Sequence, residues 1–222
     1  RKQLVLKTMY AYIDHSSNLD DTDCFSLLGT NNFNLVWENV CAEILNNQLK
    51  TPLGSLKLPV PLLAKYDRTQ ALEKLIDKPI WSDKDENGNE FTRESDTLIP
   101  DLISVGSANG QSYFIIFDAK YYNMQLESNK PLRGQPGLES VTKQYLYQLA
   151  FQKFIKEHNF DTVKNCFLMP TQKDEIIEKG QVSMEMLDGL GLEPIQNRLI
   201  PAKKAFELYL HGQKLDISSL NL

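Results

Sequence analysis

The sequence predicts an α/β fold, a mixed central β-sheet flanked by helices, and three observations carry that prediction. Apolar residues recur at helical spacing over 34–45. Two apolar strand-like runs, Ile99-Pro100-Asp101-Leu102-Ile103 and Tyr113 to Phe117, are separated by the turn formers Gly106-Ser107-Ala108-Asn109-Gly110. A long helical pattern from Leu138 to Phe154 is then followed by a strand pattern, Thr162 to Met169. Strands joined once by a tight turn and once by a helix give a sheet with antiparallel and parallel neighbours.

The elements follow in chain order. Lys2 to Ile13 is expected to be a helix and Asn18-Asp20-Asp21-Asp23 a polar linker. The first residue is Arg, which suggests a piece of a longer protein with a further domain upstream. In 34–45, Leu35, Val36, Val40, Ile44 and Leu45 form the packing stripe. Glu38, flanked by Trp37 and Cys41, can face the sheet, whereas Glu43 belongs on the wet side. In the later helix Leu138, Val141, Tyr145, Leu149 and Phe151–Phe154 are expected to pack, with Lys143, Gln144 and Tyr147 on or beside the opposite face. Val182–Leu187 and Ile195–Ile200 read as further strands, and Pro201–Leu210 as a helix with Pro at its start and Gly212 beyond its end.

The chemistry concentrates at two strand ends. Asp101 opens one run; Asp118 and Lys120 close the other and share a face, because strand side chains alternate with period two. A hairpin would bring Asp101 to Asp118. Two hard oxygen ligands suit Mg²⁺, which keeps open waters and binds phosphate oxygens, and a nearby ammonium can hold an attacking water and offset phosphate charge. This is the composition of a metal-and-lysine site for phosphodiester cleavage. A rival pattern is Asp83-x-Asp85-x-Asn87-Gly88 with Glu94, which fits the template of a calcium loop and hence a calcium-binding scaffold. Pro79 and the strand-like Ile80-Trp81 oppose the helix such a loop needs, and Asn87-Gly88 is more simply a hairpin turn.

The Asp101, Asp118, Lys120 pattern resembles the PD-(D/E)xK nuclease superfamily. Phe117-Asp118-Ala119-Lys120-Tyr121-Tyr122, Gly134-Gln135-Pro136-Gly137 and Thr142-Lys143-Gln144-Tyr145-Leu146-Tyr147-Gln148-Leu149 resemble, more narrowly, the nuclease part of LlaJI-type restriction endonucleases, which are similar to McrC of McrBC-type systems. The resemblance covers about Asn34 to Met169 and implies a restriction-endonuclease-like core, Mg²⁺ replaceable by Mn²⁺, and double-stranded DNA as substrate. Asp101, Asp118, the Ala119 carbonyl and Glu38 would be metal ligands, with Lys120 and Gln144 catalytic and Lys130, Arg133 and Lys143 on DNA. The Gln-x-x-x-Tyr motif of some relatives is only approximated at Gln144. A McrB-like AAA+ GTPase partner and a homodimer for double-strand cutting are further implications, within a type II or type IV-like system of bacterial defence against phage. The whole chain then reads as one nuclease domain: 1–30 leading to an upstream DNA-binding domain, 31–170 the catalytic core, and 171–222 the C-terminal strands and helix. The alternative is a DNA-binding module that keeps the fold without catalysis.

Composition bounds these expectations. The 222 residues are 41% apolar, enough for one substantial core. No run approaches the ~18 apolar residues of a membrane span. Cys24, Cys41 and Cys166 are widely spaced and read as reduced thiols of a bacterial cytoplasmic protein. His15, His158 and His211 are far apart and read as surface or capping residues. A net charge of −5 opposes nucleic-acid binding, but six basic residues stand against Glu127 and Glu139 between Ala119 and Lys156.

Overall fold

The computed structural model describes residues 32–222. The expected helix at 2–13, the linker after it, His15 and Cys24 lie outside the described residues. Helix α1 (Phe33–Ile44) turns Trp37, Val40, Cys41 and Ile44 inward. Leu35, expected in that stripe, is 48% exposed, because the buried arc is centred on Trp37 and Cys41.

Strands β1 (Ile80–Lys84) and β2 (Glu90–Glu94) form a separate antiparallel hairpin whose ten residues are all exposed. Its turn uses Gly88 at φ 81°, and Asp85 accepts from the N–H groups of Asn87 and Asn89. Strands rather than helices flank this segment, so the calcium-loop reading does not hold. Asp83 pairs with Phe91 and Glu94 with Ile80, three ladder steps away and on the opposite face.

The main sheet contains β3 (Leu102–Ala108), β4 (Gln111–Ala119), β5 (Thr162–Thr171), β6 (Ile177–Val182) and β7 (Ile195–Pro201) in the order β3-β4-β5-β7-β6. The outer pairs are antiparallel and the two inner pairs parallel, giving the mixed sheet expected. The β3–β4 hairpin lies at an edge of the sheet, with β3 outermost. Its turn is Asn109-Gly110, both at positive φ (52° and 80°), the backbone that a two-residue hairpin demands. β6 was not anticipated; of the strand expected at 182–187, Val182 ends β6 and half of the stretch, 185–187, belongs instead to a 3₁₀ turn, Glu185–Leu190.

Helix α2 (Leu138–His158) crosses between β4 and β5, and α3 (Ala202–Leu210) follows β7. One sheet face, with Ile115, Phe117, Cys166 and Leu168, packs on α1 and α3. The other, with Phe114 and Ile116, packs on Tyr147, Phe151 and Phe154 of α2. The inward side of α2 also differs from expectation: Leu138 is 70% exposed, whereas Gln144 and Tyr147 are buried. His158 is fully buried and His211 exposed; each sits beside a carbonyl of its own helix end, Phe154 and Glu207.

Candidate active site

Lys120 follows the last residue of β4, and its N–H still pairs with the Leu168 carbonyl of β5 (2.8 Å). The same carbonyl accepts from Trp37 Nε1 (3.1 Å), which pins α1, and with it Glu38, to this end of the sheet. Asp101 immediately precedes β3, and its Oδ2 accepts from the Ala119 N–H at 2.8 Å. One carboxylate of the edge strand is thereby locked onto the backbone between Asp118 and Lys120.

Asp118 is 7% exposed and shares the α2-facing side of β4 with Ile116 and Phe114. Lys120 Nζ lies 2.7 Å from its Oδ2. The ammonium is the charge partner of this buried oxygen. Burial and then the neighbouring Asp101 charge push the Asp118 carboxyl up to about 7, against the pull of Lys120. Burial also pulls the Lys120 ammonium down, but Asp118, Asp101 and Glu38 outweigh it and leave its pKa raised. Glu38 is raised as well, by burial and then by Asp101, against Lys120. These four groups share one electrostatic neighbourhood.

The donor set fits a hard divalent cation. Two carboxylates, Asp101 and Asp118, converge on a single ammonium at the strand end, with Glu38 in the same electrostatic neighbourhood. Among the described residues no three acidic, histidine or cysteine side chains gather closely enough to cage a metal unaided. Few protein oxygens with positions left for water and phosphate is the arrangement that Mg²⁺ prefers.

The remaining expected residues divide. Gln144 is fully buried under the sheet, and its backbone carbonyl accepts from Asn165 Nδ2 (2.9 Å); its carboxamide bonds to no described residue, including either aspartate. Lys130 and Lys143 are in ion pairs with Glu127 (2.8 Å) and Glu139 (2.5 Å), and Arg133 is exposed. Arg133 sits in a loop closed by reciprocal backbone bonds with Gln125. There Gly134, at φ 64°, is forced: a Cβ would meet the Asn123 carbonyl oxygen at 2.2 Å.

Sequence reading missed Trp37 as an anchor and Tyr147 as a neighbour of the site. The Tyr147 hydroxyl donates to the Ile99 carbonyl (3.0 Å), and burial, then Asp118 and Asp101, raise its pKa. Its place three residues after Gln144 is the signal that could have found it, since residues three apart share a helix face.

Comparison with known proteins places the chain in a family. The family described as LlaJI restriction endonuclease matches residues 64–203. That stretch holds Asp101, Asp118, Lys120 and Gln144, and Glu38 precedes it. The chain is 29% identical over 219 residues to the "Type II restriction enzyme BsuMI component YdjA" of Bacillus subtilis (strain 168). The alignment covers 97% of this chain and 41% of the relative, so the chain spans about two fifths of that protein's length. No solved structure matches.

Proposed function

The chain belongs to the LlaJI restriction endonuclease family, and from that premise we propose that it is the Mg²⁺-dependent nuclease part of a type II or type IV-like restriction system, hydrolysing phosphodiester bonds of double-stranded DNA. The observation that supports this most is the meeting of Asp101, Asp118 and Lys120 at one sheet end, with Asp118 buried against the Lys120 ammonium. When bound, the cation supplies Lewis-acid activation of the phosphate and lowers the pKa of a bound water. Asp101, Asp118 and the Ala119 carbonyl would hold it, with Glu38 in support.

Lys120, kept cationic by its acidic neighbours, orients the water for in-line attack and offsets charge developing on the phosphate. Ala119 N–H keeps the Asp101 carboxylate turned toward the site. Lys130, Arg133 and Lys143 flank the DNA path beyond the site, and Gln144 backs it from α2. Mn²⁺ substitutes for Mg²⁺, being another cation suited to oxygen ligands.

The relative's description as a "component" supports a nuclease that works with other subunits. A McrB-like AAA+ GTPase is the proposed motor, and a homodimer the proposed means of cutting both strands. The test is cleavage of supercoiled plasmid by the purified full-length protein with Mg²⁺, with Mn²⁺ and with chelator. Cutting with either cation, lost in chelator and in Asp101→Ala and Asp118→Ala, is expected. Cutting that survives chelator or both substitutions would reject this reading.

A further inference from the structure

Asn47 lies just past α1 and belongs to none of the motifs above. Asn46 adopts a left-handed backbone (φ 55°), which turns the chain so that the Asn47 N–H donates to the Ala42 carbonyl at 2.9 Å. The Asn47 carboxamide then lies along the outer edge of the sheet. Its Nδ2 donates to the Asp101 carbonyl (3.2 Å), and its Oδ1 accepts from the N–H groups of Ile103 (3.1 Å) and Leu49 (3.0 Å). The Gln48 N–H donates to the Ile103 carbonyl (2.8 Å) and extends the pairing. A carboxamide has one donor side and one acceptor side, as a peptide group does. Here it stands in for the neighbouring strand that edge strand β3 lacks.

Asp101 is therefore held from two sides: its peptide by Asn47 and its carboxylate by the Ala119 N–H. The residue that grips it is in turn fixed to the end of the helix carrying Glu38. We propose that Asn47 is a positioning residue, which sets the Asp101 carboxylate against Asp118 and keeps α1 in register with it. This inference rests on the reading of Asp101 as a metal ligand. Residues that orient metal ligands commonly matter 10–100-fold for affinity or rate.

A merely structural role is separable, because Ser104 Oγ donates to the Leu45 carbonyl and ties the same loop to the same strand without touching Asp101. In the full-length protein, Asn47→Ala and Ser104→Ala are compared for melting temperature, for the Mg²⁺ concentration giving half-maximal thermal stabilisation, and for kcat and KM on plasmid DNA. Asn47→Ala is expected to raise the Mg²⁺ midpoint about tenfold or more and lower kcat on the order of 10–100-fold, with KM for DNA within about twofold. Ser104→Ala should lower only the melting temperature. If Asn47→Ala does not fold, Asn47→Ser, which retains a small acceptor for the loop N–H groups, is read in the same way. Asn47 variants with wild-type Mg²⁺ midpoint and kcat, or an equal loss in Ser104→Ala, would overturn the proposal. A wild type that Mg²⁺ neither stabilises nor activates would instead overturn the metal-site reading, and this inference with it.

Discussion

Lys120 follows β4 with its Nζ 2.7 Å from Asp118, so its charge bears on the site more than its stem does on packing. Lys120→Ala should therefore leave the fold intact and slow plasmid cleavage on the order of 10²-fold or more, the usual cost of losing one preorganised charge partner. Circular dichroism and a cleavage time course check both halves. Asp118 supplies a pH test. An aspartate titrates near 3.9 when unfolded, and here it is pushed up to about 7, so folding favours its protonated form. That contribution is complete below about pH 4 and is lost as pH rises through about 7. Metal-free wild type should melt lower at pH 8 than at pH 5.5. Asp118→Asn should remove most of that difference and gain a few degrees at pH 8, given ~2–4 °C per kcal/mol at this chain length. A variant that melts well below wild type in metal-free buffer at pH 8 would make Asp118 a structural partner. At this scale the candidate residues Asp101, Asp118 and Lys120 were legible, because strand alternation puts Asp118 and Lys120 on one face and the hairpin brings Asp101 beside them. Asn47 was not, because an asparagine after a helix reads as a turn former, and only the fold reveals which strand edge its carboxamide meets.

Asp161 joins the starts of β4 and β5: its Oδ2 accepts from both the N–H and the Oγ of Ser112 at 2.7 Å, and its own N–H donates to Ser112 Oγ at 3.0 Å. These bonds hold its carboxyl below the usual range, the Ser112 hydroxyl first and its N–H next. A lowered carboxylate stabilises above its unfolded pKa and ceases to do so as pH falls through the folded value. Asp161→Ala should thus melt a few degrees lower at pH 7, and its gap from wild type should shrink below about pH 4. Elsewhere Phe151 is fully buried against Phe114, with ring centroids 5.4 Å apart, and Phe151→Ala should cost about 3–5 kcal/mol in denaturant unfolding. Helix existence and the first hairpin could be read from periodicity, whereas the orientation of α2 could not. Its inner side carries Gln144, Tyr147 and Gln148 where it passes the Asp118 end of the sheet, so burial and apolarity part company there. β6 escaped notice because Ile177–Val182 is an edge strand containing Glu178, Lys179 and Gly180, with no residue fully buried.

For the molecule as a whole, charge is distributed unevenly. Between Asp77 and Asp96 seven acidic residues face three basic ones, so the β1–β2 segment carries most of the net −5. The segment after Lys120 is the basic one, although two of its lysines are already paired. Binding of DNA by this chain alone should be weak, insensitive to sequence and steeply reduced by salt, because phosphate contacts position without reading bases. A filter-binding titration from low to physiological salt checks this, and tight, salt-insensitive binding to one sequence would contradict it. Among the described residues no helix is long and apolar enough to cross a membrane. The β1–β2 hairpin has a further consequence, in time rather than in space. All ten of its strand residues are exposed, and an isolated two-stranded ladder is at best marginally stable in water. Its amide hydrogens should exchange orders of magnitude faster than those of β4 and β5, opening without the rest of the sheet. Among the described residues, the Asn87-Gly88 tip is accordingly the place where a protease would nick first, and where an inserted epitope would leave the Asp118 end of the sheet undisturbed.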